Sequence, residues 1–182
     1  VLADAQGILD ELGVHLETCA NEAGAAAMLG ASINYPLRGA VTWKATVGTN
    51  VASDALSNLA SAGVKGGALI VVGEDYGEGA SIIQERSHAF AMKSQIWLLD
   101  PRPNLTTIVD MVEQGFQLSE ASSTPVMLEL RIRACHVRGS FETKANRQPE
   151  FSRRNVLENP DFDYGKICLP PSTYAQEKQK ID

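Results

Sequence analysis

Residues 67–72, Gly67-Ala68-Leu69-Ile70-Val71-Val72, run without a single polar side chain. A strand with one wet face alternates apolar with polar, so an unbroken run of this kind calls for a central parallel strand covered on both faces. Parallel neighbours need long crossovers, usually helices, and the flanking sequence supplies them. Before the run, apolar residues recur at helical spacing over 1–12 and stop at Gly13, and residues 14–18 alternate like a short strand. An Ala-rich helix is predicted over 21–33, a strand over 38–43, a loop over 44–50 and a helix over 51–62 that stops at Gly63. After the run, residues 80–94 read as a helix and 96–99 as a strand before Asp100-Pro101. A helix capped by Asn104 follows over 104–119, and a last strand over 126–130.

Strand alternating with helix predicts an α/β fold: a doubly wound, mostly parallel sheet with helices on both faces. The length of 182 residues suits one domain, assigned to residues 1–139. Beyond Gly139 the sequence becomes polar and carries Pro149, Pro160, Pro170 and Pro171 without a sustained period, so residues 140–182 are expected to form an extended arm or linker to a further domain. Val1 falls inside a helical pattern, from which the chain is expected to begin partway through a larger protein.

A formal charge of −6 disfavours nucleic acid and anionic membrane as partners, since both want clustered Lys and Arg. The three cysteines, Cys19, Cys135 and Cys168, lie too far apart for a disulfide framework or a Cys-x-x-Cys cluster site, which fits a reducing cytoplasm. No apolar run approaches the roughly 20 residues of a membrane helix.

Ligands of doubly wound sheets bind outside the carboxyl ends of the strands, which directs attention to the loops there. Glu22 opens the Ala-rich helix among Ala20, Ala23, Ala25, Ala26 and Ala27, small residues that let another surface approach. It reads equally as an acid at the positive end of a helix dipole. Lys44-Ala45-Thr46-Val47-Gly48-Thr49-Asn50 joins an ammonium, two hydroxyls and an amide to a glycine, and suits a polar ligand or a well-made helix entry. Glu74, Asp75 and Glu78 share a glycine-rich stretch that suits a solvated loop better than a metal site, so no metal ligands are assigned. That stretch has neither a dinucleotide glycine pattern nor a Walker lysine. His88 follows Gln84-Glu85-Arg86-Ser87 and is a candidate acid or base, whereas His15 and His136 have no nucleophilic partner in register.

Taken in order, the segments resemble a known family. Asn21-Glu22-Ala23-Gly24-Ala25-Ala26-Ala27-Met28 resembles the Asn/Glu-led helix of thiamine-diphosphate enzymes. Thr42-Trp43-Lys44 with Val47-Gly48-Thr49-Asn50-Val51-Ala52-Ser53-Asp54 is similar to the K-x-x-G-x-N-V-A-x-D stretch of indolepyruvate:ferredoxin oxidoreductase large subunits. Residues 63–75 and Arg133-Ala134-Cys135-His136-Val137-Arg138-Gly139 continue the likeness. The resemblance implies the pyrimidine-binding module of a 2-oxoacid:ferredoxin oxidoreductase that performs oxidative decarboxylation. Glu22 would then face the aminopyrimidine as the catalytic carboxyl, because a carboxyl hydrogen-bonded to a ring nitrogen favours the imino form. Glu22, Lys44, Gly48, Thr49 and Asn50 become the cofactor-binding set, and Asp75, Gln84, Arg86 and His88 the substrate-binding set.

The resemblance further implies a diphosphate-binding module or subunit that holds magnesium and the diphosphate, in a homo- or hetero-oligomer. Iron–sulfur clusters and coenzyme A would lie elsewhere in the complex, with ferredoxin and a 2-oxoacid as further partners. This sequence departs from the family pattern by one residue more between Lys44 and Gly48, one fewer between Gly77 and Gln84, and Arg86 and Ser87 in swapped order. Both loops would face substrate, which leaves the choice of 2-oxoacid open. The rival reading is a non-catalytic, flavodoxin-like binding or scaffold domain.

Overall fold

The computed structural model describes residues 2–33, 35–77, 81–145 and 161–181. Its sheet has four strands, β1 (Gly39–Lys44), β2 (Ala68–Glu74), β3 (Trp97–Leu99) and β4 (Val126–Arg131), in the order β1-β2-β4-β3. All three pairings are parallel, with Leu69 opposite Val126 and Trp97 also opposite Val126. The helices are α1 (Gln6–Glu11), α2 (Glu22–Leu29), α3 (Ala45–Val51), α4 (Ser53–Ala62), α5 (His88–Ser94), α6 (Leu105–Ser122), α7 (Ile132–Cys135) and α8 (Ser172–Ile181). The predicted doubly wound α/β sheet is what forms.

Alternation along β2 divides the core in two. Ala68, Ile70 and Val72 join Met127 in facing Leu29 of α2, Leu56 and Leu59 of α4 and Phe90 of α5. Leu69, Val126 and Leu128 face the other way, toward Met111, Val112 and Phe116 of α6. The connections from β1 to β2 and from β2 to β3 therefore cross one face, and the return from β3 to β4 crosses the other. Ser119 of α6 is fully buried, and its hydroxyl accepts the Ala68 amide at 2.9 Å, fixing α6 to the start of β2. At the β1 entry, Gly66 allows a close approach: a Cβ there would lie 2.1 Å from the Leu37 carbonyl oxygen.

Four expectations change. Residues 14–18 have no strand partner and are irregular. Residues 45–50 of the loop expected over 44–50 form, with Val51, the helix α3, entered through Ala45 at φ +46, the left-handed region in which a side chain is strained. The helix expected over 80–94 begins only at His88, with residues 81–87 irregular and Ala80 outside the described residues. The tail is not wholly extended, because α8 packs on α4 with Gln176 buried beneath it. Residues 146–160 of the expected arm lie outside the described residues. No helix among the described residues is long and apolar enough to cross a membrane.

Candidate functional site at the carboxyl ends of the strands

Leu29, at the end of α2, lies against Gly39 at the start of β1: a Cβ on Gly39 would meet Leu29 Cδ1 at 2.7 Å. The helix therefore runs antiparallel to β1, and its first turn lies toward the carboxyl ends of the strands. Asn21 caps it by accepting the Gly24 amide at 2.8 Å. Glu22 follows, half-buried, and makes no hydrogen bond or ion pair among the described residues.

Lys44 ends β1 and pairs with Asp75, just past β2, at 3.0 Å. That ammonium holds the Asp75 carboxyl below its ordinary range, outweighing partial burial. Trp43 points inward and donates through Nε1 to Thr49 Oγ1 at 3.1 Å. Thr49 donates its one hydroxyl hydrogen to the Ala45 carbonyl at 3.2 Å, so the Ser87 hydroxyl, 3.0 Å away, is the donor to Thr49. Gly48 faces the Trp43 ring, where a Cβ would lie 2.6 Å from Cδ1 and Cγ.

Between α3 and the start of α5 opens a cavity of about 520 Å³, lined by Thr46, Thr49, Asn50 and Ser53 on one side and residues 84–90 with Lys93 on the other. Glu85 accepts from Asn50 at 3.1 Å and Thr46 at 3.5 Å, which ties the two walls together. Gln84 is engaged by its own loop: it accepts the Gly77 amide at 2.6 Å and donates to the Ser81 carbonyl at 2.9 Å. The Arg86 guanidinium lies over the Tyr76 ring, 4.2 Å from its centroid, within cation–π range.

The cavity thus gathers Thr49, Asn50, Gln84, Arg86 and His88 from the predicted sets. Lys44 and Asp75 form a separate pair, and neither Glu22 nor Gly48 lines the cavity.

Sequence reasoning placed Glu74 in a solvated loop and gave Glu129 no role, but both carboxylates lie buried beneath these residues, Glu74 as the last residue of β2. Glu74 and Glu129, each 1% exposed, end the apolar stretches of β2 and β4 on the same face of the sheet as Val72 and Met127. Glu74 Oε1 accepts the Ser87 amide at 2.9 Å, while Glu74 Oε2 and both oxygens of Glu129 have no hydrogen-bond partner among the described residues. Burial, then the charges of Glu74 and Asp100, push the Glu129 carboxyl up to about 7, against the pull of Arg131 and Arg86. Arg131 Nε stands 3.9 Å from Glu129 Oε1, its guanidinium being held in a two-pronged pair with Asp100, and His88 Nδ1 stands 3.9 Å from Glu129 Oε2. The legible signal was an acid inside each otherwise apolar strand, where a charge has no ordinary reason to be. The nearby Cys135 thiol is pushed up by burial and by Asp75, away from the reactive thiolate.

A parallel α/β sheet with helices on both faces defines the class as a doubly wound α/β domain, and its polar and ionisable groups gather outside the carboxyl ends of the strands, where such folds bind ligands. No family model matches the chain. Among curated proteins it is similar to the indolepyruvate oxidoreductase subunit IorA of several archaea. The Methanothermobacter thermautotrophicus subunit is 28% identical over 176 residues, 97% of this chain and 28% of that protein. That of Methanothermobacter marburgensis is 29% identical over 154 residues, 85% and 24% of the two chains, and that of Pyrococcus horikoshii 30% over 132 residues, 72% and 20%. The likeness to the indolepyruvate oxidoreductase large subunit, drawn first from ordered segments, is borne out. The chain spans about a quarter of the length of these curated relatives.

Proposed function

We propose that this chain is the aminopyrimidine-facing module of a thiamine-diphosphate-dependent 2-oxoacid oxidoreductase, with Glu22 as its cofactor-activating carboxyl. The observation that carries the reading is Glu22 itself: a half-buried carboxylate in the first turn of α2, toward the carboxyl ends of the sheet, with no partner among the described residues. Its neighbours Ala23 and Gly24 add no long side chain, so a flat ring can approach. A carboxyl so placed suits a hydrogen bond to a ring nitrogen, and water-poor surroundings would strengthen that bond. When bound, thiamine diphosphate would supply the nucleophilic carbon for addition to a 2-oxoacid ketone.

In this reading Glu22 holds the proton shared with the ring nitrogen. Thr49 and Asn50 contribute the polar wall of α3, Gly48 lets Trp43 pack against that wall, and the Lys44–Asp75 pair fixes the mouth of β1 and β2. The cavity with Arg86 and His88 accepts the carboxylate of the 2-oxoacid. Magnesium, the diphosphate grip, iron–sulfur centres and coenzyme A belong to other modules of a cytoplasmic assembly that passes electrons to ferredoxin. The chain's share of its relatives' length and the naming of those relatives as subunits support this division of labour.

Glu22→Gln in the complete enzyme tests the reading. Loss of a positioned proton carrier costs on the order of 10²-fold or more, so 2-oxoacid-dependent acceptor reduction should fall by at least that factor with the circular dichroism spectrum unchanged. Activity within about twofold of wild type would leave Glu22 a helix-start acid and remove the proposal.

A further inference from the structure

The three partnerless oxygens of Glu74 and Glu129 need explanation, because burying a carboxylate without donors is strongly unfavourable unless it carries a proton or meets a cation. Glu129 is placed between two such solutions. Arg131 faces one of its oxygens at 3.9 Å, and His88 faces the other at 3.9 Å. His88 also lines the cavity and is about one-third exposed, whereas Glu129 is sealed from solvent. Among the described residues the charged and titratable groups that bear on Glu129 are Glu74 on β2, Asp100 after β3, Arg131 on β4, Arg86 just before α5 and His88 at its start. Among the described residues that line the cavity, Arg86, His88 and Lys93 are accompanied by one acid, Glu85, already engaged by Asn50 and Thr46. That balance suits an anion.

We propose that Glu129 and His88 form a proton-passing pair that lets the cavity bind a small carboxylate. With the cavity empty, Glu129 holds the proton and the His88 Nδ1 lone pair faces it. When a carboxylate enters, the O–H bond of Glu129 breaks and its electron pair stays on the carboxylate, while an N–H bond forms at His88 Nδ1. The imidazolium faces the ligand, and Arg131 faces the newly ionised Glu129. No proton is taken from solvent and no other reactant is needed. The 3.9 Å separation closes to hydrogen-bond length by a small side-chain rotation, within ordinary rotamer freedom. The near-neutral titration of Glu129 is what such a pair requires. The identity of the carboxylate rests on the function proposed above. The pair itself shares no residue with the Glu22 test, so either can fail alone.

Difference infrared spectroscopy of the complete enzyme at pH 6, with and without saturating phenylacetate, decides the matter. Phenylacetate is a carboxylate with no ketone, so no turnover intervenes. The expected result is loss of the protonated-acid carbonyl band of Glu129 on binding, the band being assigned by its absence in Glu129→Gln. In His88→Gln, altered at a partly exposed ring, phenylacetate should leave that band in place. If Glu129→Gln fails to fold, Glu129→Asp, which keeps a carboxyl, assigns the band by its shift. Saturable binding with an unchanged band, band loss that persists in His88→Gln, or no phenylacetate binding at all would each overturn the proposal.

Discussion

A carboxyl that keeps its proton to about pH 7 in the folded protein changes how stability depends on pH. Glu129 binds a proton more tightly folded than unfolded, so between its ordinary value of 4.5 and about 7 the folded state holds more protons. The sign follows: the contribution is fully present below pH 4.5 and is lost as pH rises through 7. At 1.36 kcal/mol per pKa unit the loss is on the order of 3 kcal/mol. Urea unfolding at pH 5 and pH 8 should show wild type weakening across that interval and Glu129→Gln nearly level. Equal slopes for the two proteins would mean that Glu129 is ionised throughout.

At the scale of the element, α3 shows where local signals misled. Val47, Gly48 and Thr49 are poor helix formers, so the sequence favoured a loop over 44–50. The helix holds through contacts that a sequence does not display: the Thr49 hydroxyl bonded to the Ala45 carbonyl and the Trp43 ring laid on Gly48. Gly48→Ala should therefore lower stability by about 1–3 kcal/mol, since its methyl overlaps a ring anchored at Nε1, and should alter tryptophan fluorescence. An unchanged denaturation midpoint would show that Trp43 moves freely.

The legible elements were those with self-sufficient patterns. The apolar run of β2 and the Asn104-capped, amphipathic α6 both lie where the spacing puts them, with Asn104 accepting the Thr107 amide at 3.0 Å. Residues 14–18 had the alternation of a strand but no neighbour to pair with. In the site, Thr49, Asn50, Gln84, Arg86 and His88 were legible because loops at strand ends announce themselves. The Glu74–Glu129 pair was not, because its meaning comes from two strands 55 residues apart in sequence being neighbours in the sheet.

Across the whole molecule, one buried amide joins the C-terminal helix to the domain. Gln176 of α8 donates to the Ser123 carbonyl at 3.1 Å and to Thr124 Oγ1 at 3.4 Å, and accepts from Lys166 at 2.9 Å. It fits only because position 63 lacks a side chain: a Cβ there would meet Gln176 at 2.6 Å, and Gly63 sits at φ +79. Gln176→Ala leaves buried polar groups unsatisfied and should lower stability by roughly 1–3 kcal/mol. Limited trypsin digestion should then cut at Lys178 faster than in wild type, and equal cutting rates would show α8 held by other contacts.

Ser87 works at this larger scale as well. Its amide grips an acid at the end of the central strand while its hydroxyl grips Thr49 across the gap, both from one residue hidden from water. Drawing residue 87 away from the sheet would cost Glu74 its one hydrogen bond and Thr49 a donor at the same time. That edge of the opening is therefore anchored at two points by a single residue.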